Sequence, residues 1–364
     1  MNTNQRLLSL DILRGITVAG MILVNNGWGE SYEMLQHSKW NGMTPCDLVF
    51  PFFLFIVGIS CYLSLAKSAF KPTPQVLRRI LRRTVLLFAI GLFIHWFDNA
   101  LWGDFGFAHL RIWAVLQRIA LCYCAVSLFA LFGNHRYTLP VAAVLLVVYS
   151  GILLLGNGYA EDASINILAQ TDLRLFGYDH LYHKGPVDPE GLLGTIPSIA
   201  HVLIGFYCGQ LIREKESIGQ KVCALFVVGT VLVVGGWLLS YGLPLNKRVW
   251  SPSYVMVTCG LASLLQALLM YLIDLDGGKK LFTRHPSLFT PFRVFGVNAL
   301  ALYVSSELLA IVLGYFNISE IVYAGISAVV PLAKPASLVY ALYFVLLNYA
   351  IGYVLYRKKI YIKL

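Results

Sequence analysis

Charge is what this sequence has least of. Only 13% of its 364 residues are Asp, Glu, Lys or Arg, where a soluble globular chain carries about 25%. That deficit excludes a water-facing surface over most of the length. Acidic residues are the scarcer kind, 18 against 28 Lys and Arg, for a net charge of +10. The seven cysteines (Cys46, Cys61, Cys122, Cys124, Cys208, Cys223 and Cys259) show no zinc-ligand spacing, and Cys122-Tyr-Cys124 is too short for a redox pair. Most stand in apolar runs, where cysteine behaves as a small hydrophobe. Neither a disulfide framework nor a metal site is expected. The first apolar run ends in Val24-Asn25-Asn26 rather than in small residues, so no cleavable signal is expected. Internal repeats and low-complexity stretches are also missing.

What fills the chain is apolar: 58% of residues are hydrophobic and the mean hydropathy is +0.70. A hydrocarbon core of about 30 Å takes about 20 such residues per helix. Candidate spans fall at 7–26, 47–66, 84–99, 111–132, 137–156, 193–212, 220–242, 253–273, 292–313 and 335–356. The expected fold is therefore all-α: a polytopic membrane protein of about ten transmembrane helices, residues 1–364 forming one domain. The segment 318–333 is the open case, either re-entrant, interfacial or an eleventh span. The third window is short and interrupted by His95, which suggests a tilted or buried helix.

The basic residues lie between the apolar runs, which reads as topology and membrane-surface attraction rather than nucleic-acid binding. With both termini cytoplasmic, inner loops hold 19 Lys and Arg and outer loops 6. That bias selects the orientation and disfavours an eleventh span. The largest outer loop is then 157–192. The basic stretch Lys71 to Arg83 reads as an amphipathic helix, serving either as an anchor on anionic lipid or as a funnel for an anionic cytoplasmic ligand.

Polar groups at membrane depth are costly and face a cavity or a partner. Asp11 and Arg14 are spaced to pair on one helix face; the alternative for Arg14 is a phosphate. Asn25 and Asn26 close the first helix. A short loop then carries His37, Trp40 and Asn41 to Asp47 at the start of the next helix. Asp47 suits an N-cap or first-turn acid, and equally a carboxylate that orients an imidazole. His37 is a candidate general base. Gln117 and Arg118 sit two turns into an apolar helix, where arginine needs a structural carboxylate (Asp11 or Glu307) or a phosphate. Asp188 and Glu190 precede the sixth span; Asn246, Lys247 and Trp250 precede the eighth; Asn298 and Glu307 lie in the ninth.

These clusters are motifs. Ser9-Leu-Asp11-Ile-Leu-Arg14-Gly15, His37-Ser-Lys-Trp40-Asn41-Gly42 through Asp47-Leu-Val-Phe-Pro-Phe-Phe, Arg111 through Gln117-Arg118, Asp188-Pro-Glu190-Gly-Leu-Leu-Gly194-Thr195, Asn246-Lys247 through Trp250-Ser251, and Gly296-Val-Asn298 follow in order over residues 9 to 298. With them the chain resembles the heparan-α-glucosaminide N-acetyltransferase family of transmembrane acetyltransferases. Against the family pattern, an N-terminal luminal domain and first helix are expected to be absent, and there is about one extra residue between Asn25 and His37.

The resemblance implies acetyl transfer from cytoplasmic acetyl-CoA to a glucosamine-type amine on the far side, with His37 as active histidine and Asp47 and Asn25 beside it. Arg14, Arg118, Gln117, Arg78 and Arg82 are the candidates to hold CoA. Trp40, Asn41, Asp188, Glu190, Asn246, Lys247, Trp250 and Asn298 are the candidates to hold the sugar. Asn25 or Asn298 would stabilise the oxyanion. No metal is expected. The expected partners are an amino-sugar acceptor and the lipid bilayer, with a homodimer as an option and no nucleic acid; the expected location is a bacterial inner membrane. Two other readings fit the same residues: an O-acetyltransferase of envelope polysaccharide, and a proton-coupled solute transporter without chemistry.

Overall fold

In hydrocarbon every backbone amide must bond within its own segment or a closed sheet, so long apolar runs become helices. The computed structural model describes residues 7–275 and 286–362, and every regular element among them is helical. Arg6, Lys279, Lys280, Arg284 and Lys363, five of the inner-loop cations, lie outside the described residues. The helices are α1 (Leu8–Asn25), α2 (Val49–Leu65), α3 (Pro74–Leu101), α4 (Val115–Phe132), α5 (Thr138–Leu155), α6 (Ile167–Phe176), α7 (Thr195–Glu214), α8 (Ile218–Leu239), α9 (Pro252–Leu269), α10 (Pro286–Val297), α11 (Ala299–Tyr315), α12 (Ile318–Val329) and α13 (Ala333–Arg357).

Nine of these segments are long and apolar enough to cross a bilayer singly; α10 and α11, bent by 81°, pass the same test only as a pair. Nine spans result among the described residues, or ten if the bent pair counts as one, in the order expected. Helix α12 has 12 residues, about 18 Å of rise, too short for a full span. Two expectations need correction. The third helix is neither short nor buried. It runs unbroken for 28 residues, because Thr73 caps it and Pro74 occupies its first turn, with no breaker between there and His95. The basic stretch Lys71 to Arg83 is thus its first turns, with Arg78 and Arg82 exposed. The window 292–313 is not one rod; it breaks at Asn298.

That break is held by polar contacts. The Asn298 side chain donates to the Ile360 carbonyl (2.9 Å) and accepts from the Ile362 amide (3.0 Å). Nearby, α10 crosses α1 at backbone contact. A Cβ on Gly15 would lie 1.7 Å from the Phe292 oxygen, and one on Gly296 would lie 1.8 Å from the Asp11 oxygen. Only glycine allows that approach, a common device between membrane helices. These contacts gather the start of α1 and the tail after α13 at one end of the bundle. The loop carrying His37 follows the far end of α1. Outward faces of α5 and α8 expose Val144, Val147, Leu155, Phe226, Val231 and Val234, as a bilayer solvent requires.

Candidate active site

The His37 site begins with a helix start. Thr44 and Asp47 form a capping box before α2, which satisfies amides that have no helical partner. Oδ2 of Asp47 accepts from the Thr44 amide (3.0 Å), the Thr44 hydroxyl (3.1 Å) and the Ser38 amide (3.1 Å). Those bonds aim the other oxygen, Oδ1, at Nδ1 of His37, 2.8 Å away. The capping and triad-like readings of Asp47 therefore coexist in one carboxylate. Asp47 is fully buried while the imidazole is 48% exposed, so a fixed anion supports a ring open to ligand. Lys247 Nζ lies 2.9 Å from His37 Nδ1 and 3.3 Å from Asp47 Oδ1. The Cys46 sulfur stands 3.0 Å from the same ring nitrogen, and the Tyr254 hydroxyl donates to the Asp47 carbonyl at 2.6 Å.

The loop before α9 carries Lys247 to this place. Asn246 spends its whole side chain on structure: it accepts from the Val249 amide (3.1 Å) and donates to Asn41 (3.2 Å). Gly42 donates to the Leu245 carbonyl at 2.7 Å, which ties the two loops together. Trp250 is buried with φ +53°, a conformation uncommon for a bulky residue. It is wedged between the Phe50 and Tyr254 rings with the Arg118 guanidinium 5.2 Å from its centroid. Trp40 is buried too and donates to the Tyr159 carbonyl (3.0 Å). Trp40, Asn41, Asn246 and Trp250 thus frame the histidine loop.

Beside His37 opens a cavity of about 530 Å³, within the range of small-molecule sites. His37, Ser38, Lys247 and Arg248 line it, together with Asn25, His95, Gln117, Tyr303 and Glu307. One wall is an ion cluster: Arg111 donates to Asp188 (2.8 Å) and Glu190 (2.9 Å) and lies over the Tyr182 ring. Behind that wall Asp172 accepts from the Leu192 amide (3.0 Å). Burial, with Asp188 adding to it, pushes its carboxyl up to about 6, although the Leu192 amide and Arg118 pull the other way.

Of the expected site residues, His37, Asn25, Gln117, Lys247 and Glu190 line the cavity, and Asp47 and Asp188 buttress it. Gln117 is fully buried with neither amide atom partnered. Arg118 is fully buried, pairs with neither Asp11 nor Glu307 as an ion pair, and donates to the Gly191 carbonyl (2.9 Å). The remaining expected residues lie elsewhere. Arg14 bonds Ser60 (3.0 Å), Asp11 and the Gly296 carbonyl. Arg78 and Arg82 sit on the other end of α3, and Asn298 is engaged with the tail. The lining reaches Gly91 on α3, ten residues or about 15 Å from Leu101. The lining does not extend to Arg78 or Arg82, so the expected passage to the other surface is not part of this cavity. Sequence reading passed over His95, Tyr182, Lys184 and Tyr303. Of these only His95 carried a signal, an ionisable group inside an apolar run.

Nine or ten spans among the described residues, with a buried carboxylate holding a half-open imidazole beside a polar cavity, define an integral membrane protein with a candidate acid–base centre. A family model described as "Heparan-alpha-glucosaminide N-acetyltransferase, catalytic" matches residues 6–241, and the chain belongs to that family. The Homo sapiens protein named heparan-alpha-glucosaminide N-acetyltransferase is 29% identical over 83% of this chain and 53% of its own length. The Mus musculus protein of the same name is 28% identical over 84% and 54%. The chain spans about half the length of these curated relatives.

Proposed function

We propose that this protein is a transmembrane N-acetyltransferase that moves an acetyl group from acetyl-CoA to the amine of a glucosamine-type sugar, with His37 as its base. The observation that carries the reading is the Asp47–His37 pair opening on a ligand-sized cavity. Asp47, acceptor-only and buried, favours the tautomer with a proton on Nδ1, leaving the Nε2 lone pair for proton abstraction. The neighbouring Lys247 ammonium is placed to offset negative charge that develops on the thioester oxygen. In the transfer a C–N bond forms as the C–S bond breaks. The ammonium loses two protons in all: one ends on the leaving thiolate and the other is released through His37.

Acetyl-CoA enters this scheme as a substrate. Its phosphates suit exposed guanidinium groups, which bind such anions bidentately; Arg78 and Arg82 at the opposite end of α3 are the candidates. A thioester delivered from there needs a path past Gly91 and Gln117 to reach His37. Gln117, with a donor and an acceptor unspent, fits an amide of the pantetheine arm. In the variant route Nε2 itself takes the acetyl group before the amine does. Trapping of acetylated protein with acetyl-CoA alone distinguishes that route from direct attack.

The test of the reading is transfer from labelled acetyl-CoA by purified protein to glucosamine, with glucose as the hydroxyl control. Label on glucosamine and none on glucose is expected. Label on glucose in preference points to O-acetylation, and label on neither rejects the proposal.

A further inference from the structure

The cavity holds a charge that the reaction above does not use. Glu307, on α11, lines the same cavity as His37. Its Oε1 accepts from Asn25 Nδ2 at 3.5 Å, and Tyr303 also hydrogen-bonds it. No described residue forms an ion pair with it. Of the other charged groups that line the cavity, Glu190 and Lys247 are matched, while Lys184 and Arg248 form no ion pair among the described residues. Glu190 is matched by Arg111 at 2.9 Å, and Lys247 by Asp47 at 3.3 Å. A carboxylate withdrawn from water without a cation is costly. Among the described residues no cluster of His, Cys, Asp and Glu surrounds it to hold a metal ion. A single carboxylate flanked by an amide and a phenol suits a small monovalent cation with directed N–H donors, which describes a primary ammonium group.

We propose that Glu307 is the subsite for the acceptor's ammonium group and that it makes the protein prefer amines to hydroxyls. This rests on the acetyltransferase reading above. Asn25 becomes a positioning residue: its amide, at the last position of α1, holds one carboxylate oxygen at the cavity lining. A hydroxyl in place of the ammonium could hydrogen-bond to Glu307 but could not neutralise it, so the half-buried charge penalises that acceptor. The preference would then come from electrostatics at one residue, and the reacting nitrogen would be held in the cavity that His37 serves.

The experiment uses the purified full chain, with Glu307→Gln and Glu307→Asp, and the probes glucosamine, glucose and acetyl-CoA. In E307Q the KM for glucosamine rises tenfold or more while that for acetyl-CoA stays within twofold; E307D, which keeps the charge, lies between. Where E307Q turns over too slowly for kinetics, binding is read by thermal unfolding. The shift induced by glucosamine disappears and the shift induced by acetyl-CoA remains. An unchanged glucosamine KM or shift overturns the subsite, and so does loss of both ligands' effects. If the unaltered protein acetylates no amine at all, the functional reading fails first, which is a different result from an active protein indifferent to Glu307.

Discussion

Asp47 shows how one side chain serves folding and chemistry together. Its Oδ2 completes a capping box and its Oδ1 orients His37, so substitutions separate the two roles. Asp47→Asn keeps acceptors for the Ser38 and Thr44 amides but removes the charge and disturbs the tautomer. Activity is expected to fall a hundredfold or more, with a melting temperature close to that of the parent. Asp47→Ala also strands buried amides, at about 1–3 kcal/mol each, and is expected to lower the melting temperature clearly. Parallel rate and unfolding measurements on the two variants check this.

Asp172 makes a prediction about pH. Burial first, and Asp188 second, raise its carboxyl from 3.8 to about 6. The folded state therefore binds the proton more tightly than the unfolded chain does. The stabilisation is fully present below pH 3.8 and is lost as pH rises through 6. Asp172→Asn, which keeps the acceptor for the Leu192 amide, should flatten the pH dependence of unfolding between pH 4 and 7. The difference amounts to up to about 3 kcal/mol. At this scale the sequence was most legible where residues clustered. His37, Asn25 and Asp47 stand within one short loop and its flanks; His37 and Asp47 meet at 2.8 Å, and Asn25 lines the same cavity as His37. Arg14 was read from its spacing to Asp11, and the two do pair at 3.4 Å; Asn298 lies at the break that the tail anchors.

At the scale of elements, glycine decides the packing. The Gly15 and Gly296 backbones touch, so a methyl group at either position has no space. Gly15→Ala and Gly296→Ala are expected to destabilise the protein by about 1–3 kcal/mol or more, with loss of monodisperse protein in detergent. The glycine at the same motif position in α1 carried no periodicity signal, because hydropathy sees a helix but not its neighbour. The same blindness explains the ninth window. A continuous apolar run looks like one rod, and only the tail's hydrogen bonds to Asn298 show where it turns by 81°. The third window failed for the opposite reason. Arginines ended the hydropathy signal at residue 84, yet they are good helix formers and the backbone continues through them from Pro74.

Across the whole molecule, counting spans from apolar runs worked because a bilayer leaves the backbone few choices. The charge bias between loops adds a direction across the bilayer. It predicts that in sealed, inside-out vesicles acetyl-CoA added at the face bearing Arg78 and Arg82 supports transfer to sugar enclosed at the His37 face. Transfer with donor and acceptor both confined to the His37 face would reverse that arrangement.

The most direct measurement is acetyl transfer by purified parent protein and by His37→Ala, read beside acetyl-CoA-dependent thermal stabilisation of both. The account predicts labelled glucosamine from the parent and background from the variant, with the stabilisation intact in each. A His37→Ala protein that transfers acetyl at the parent's rate would contradict it.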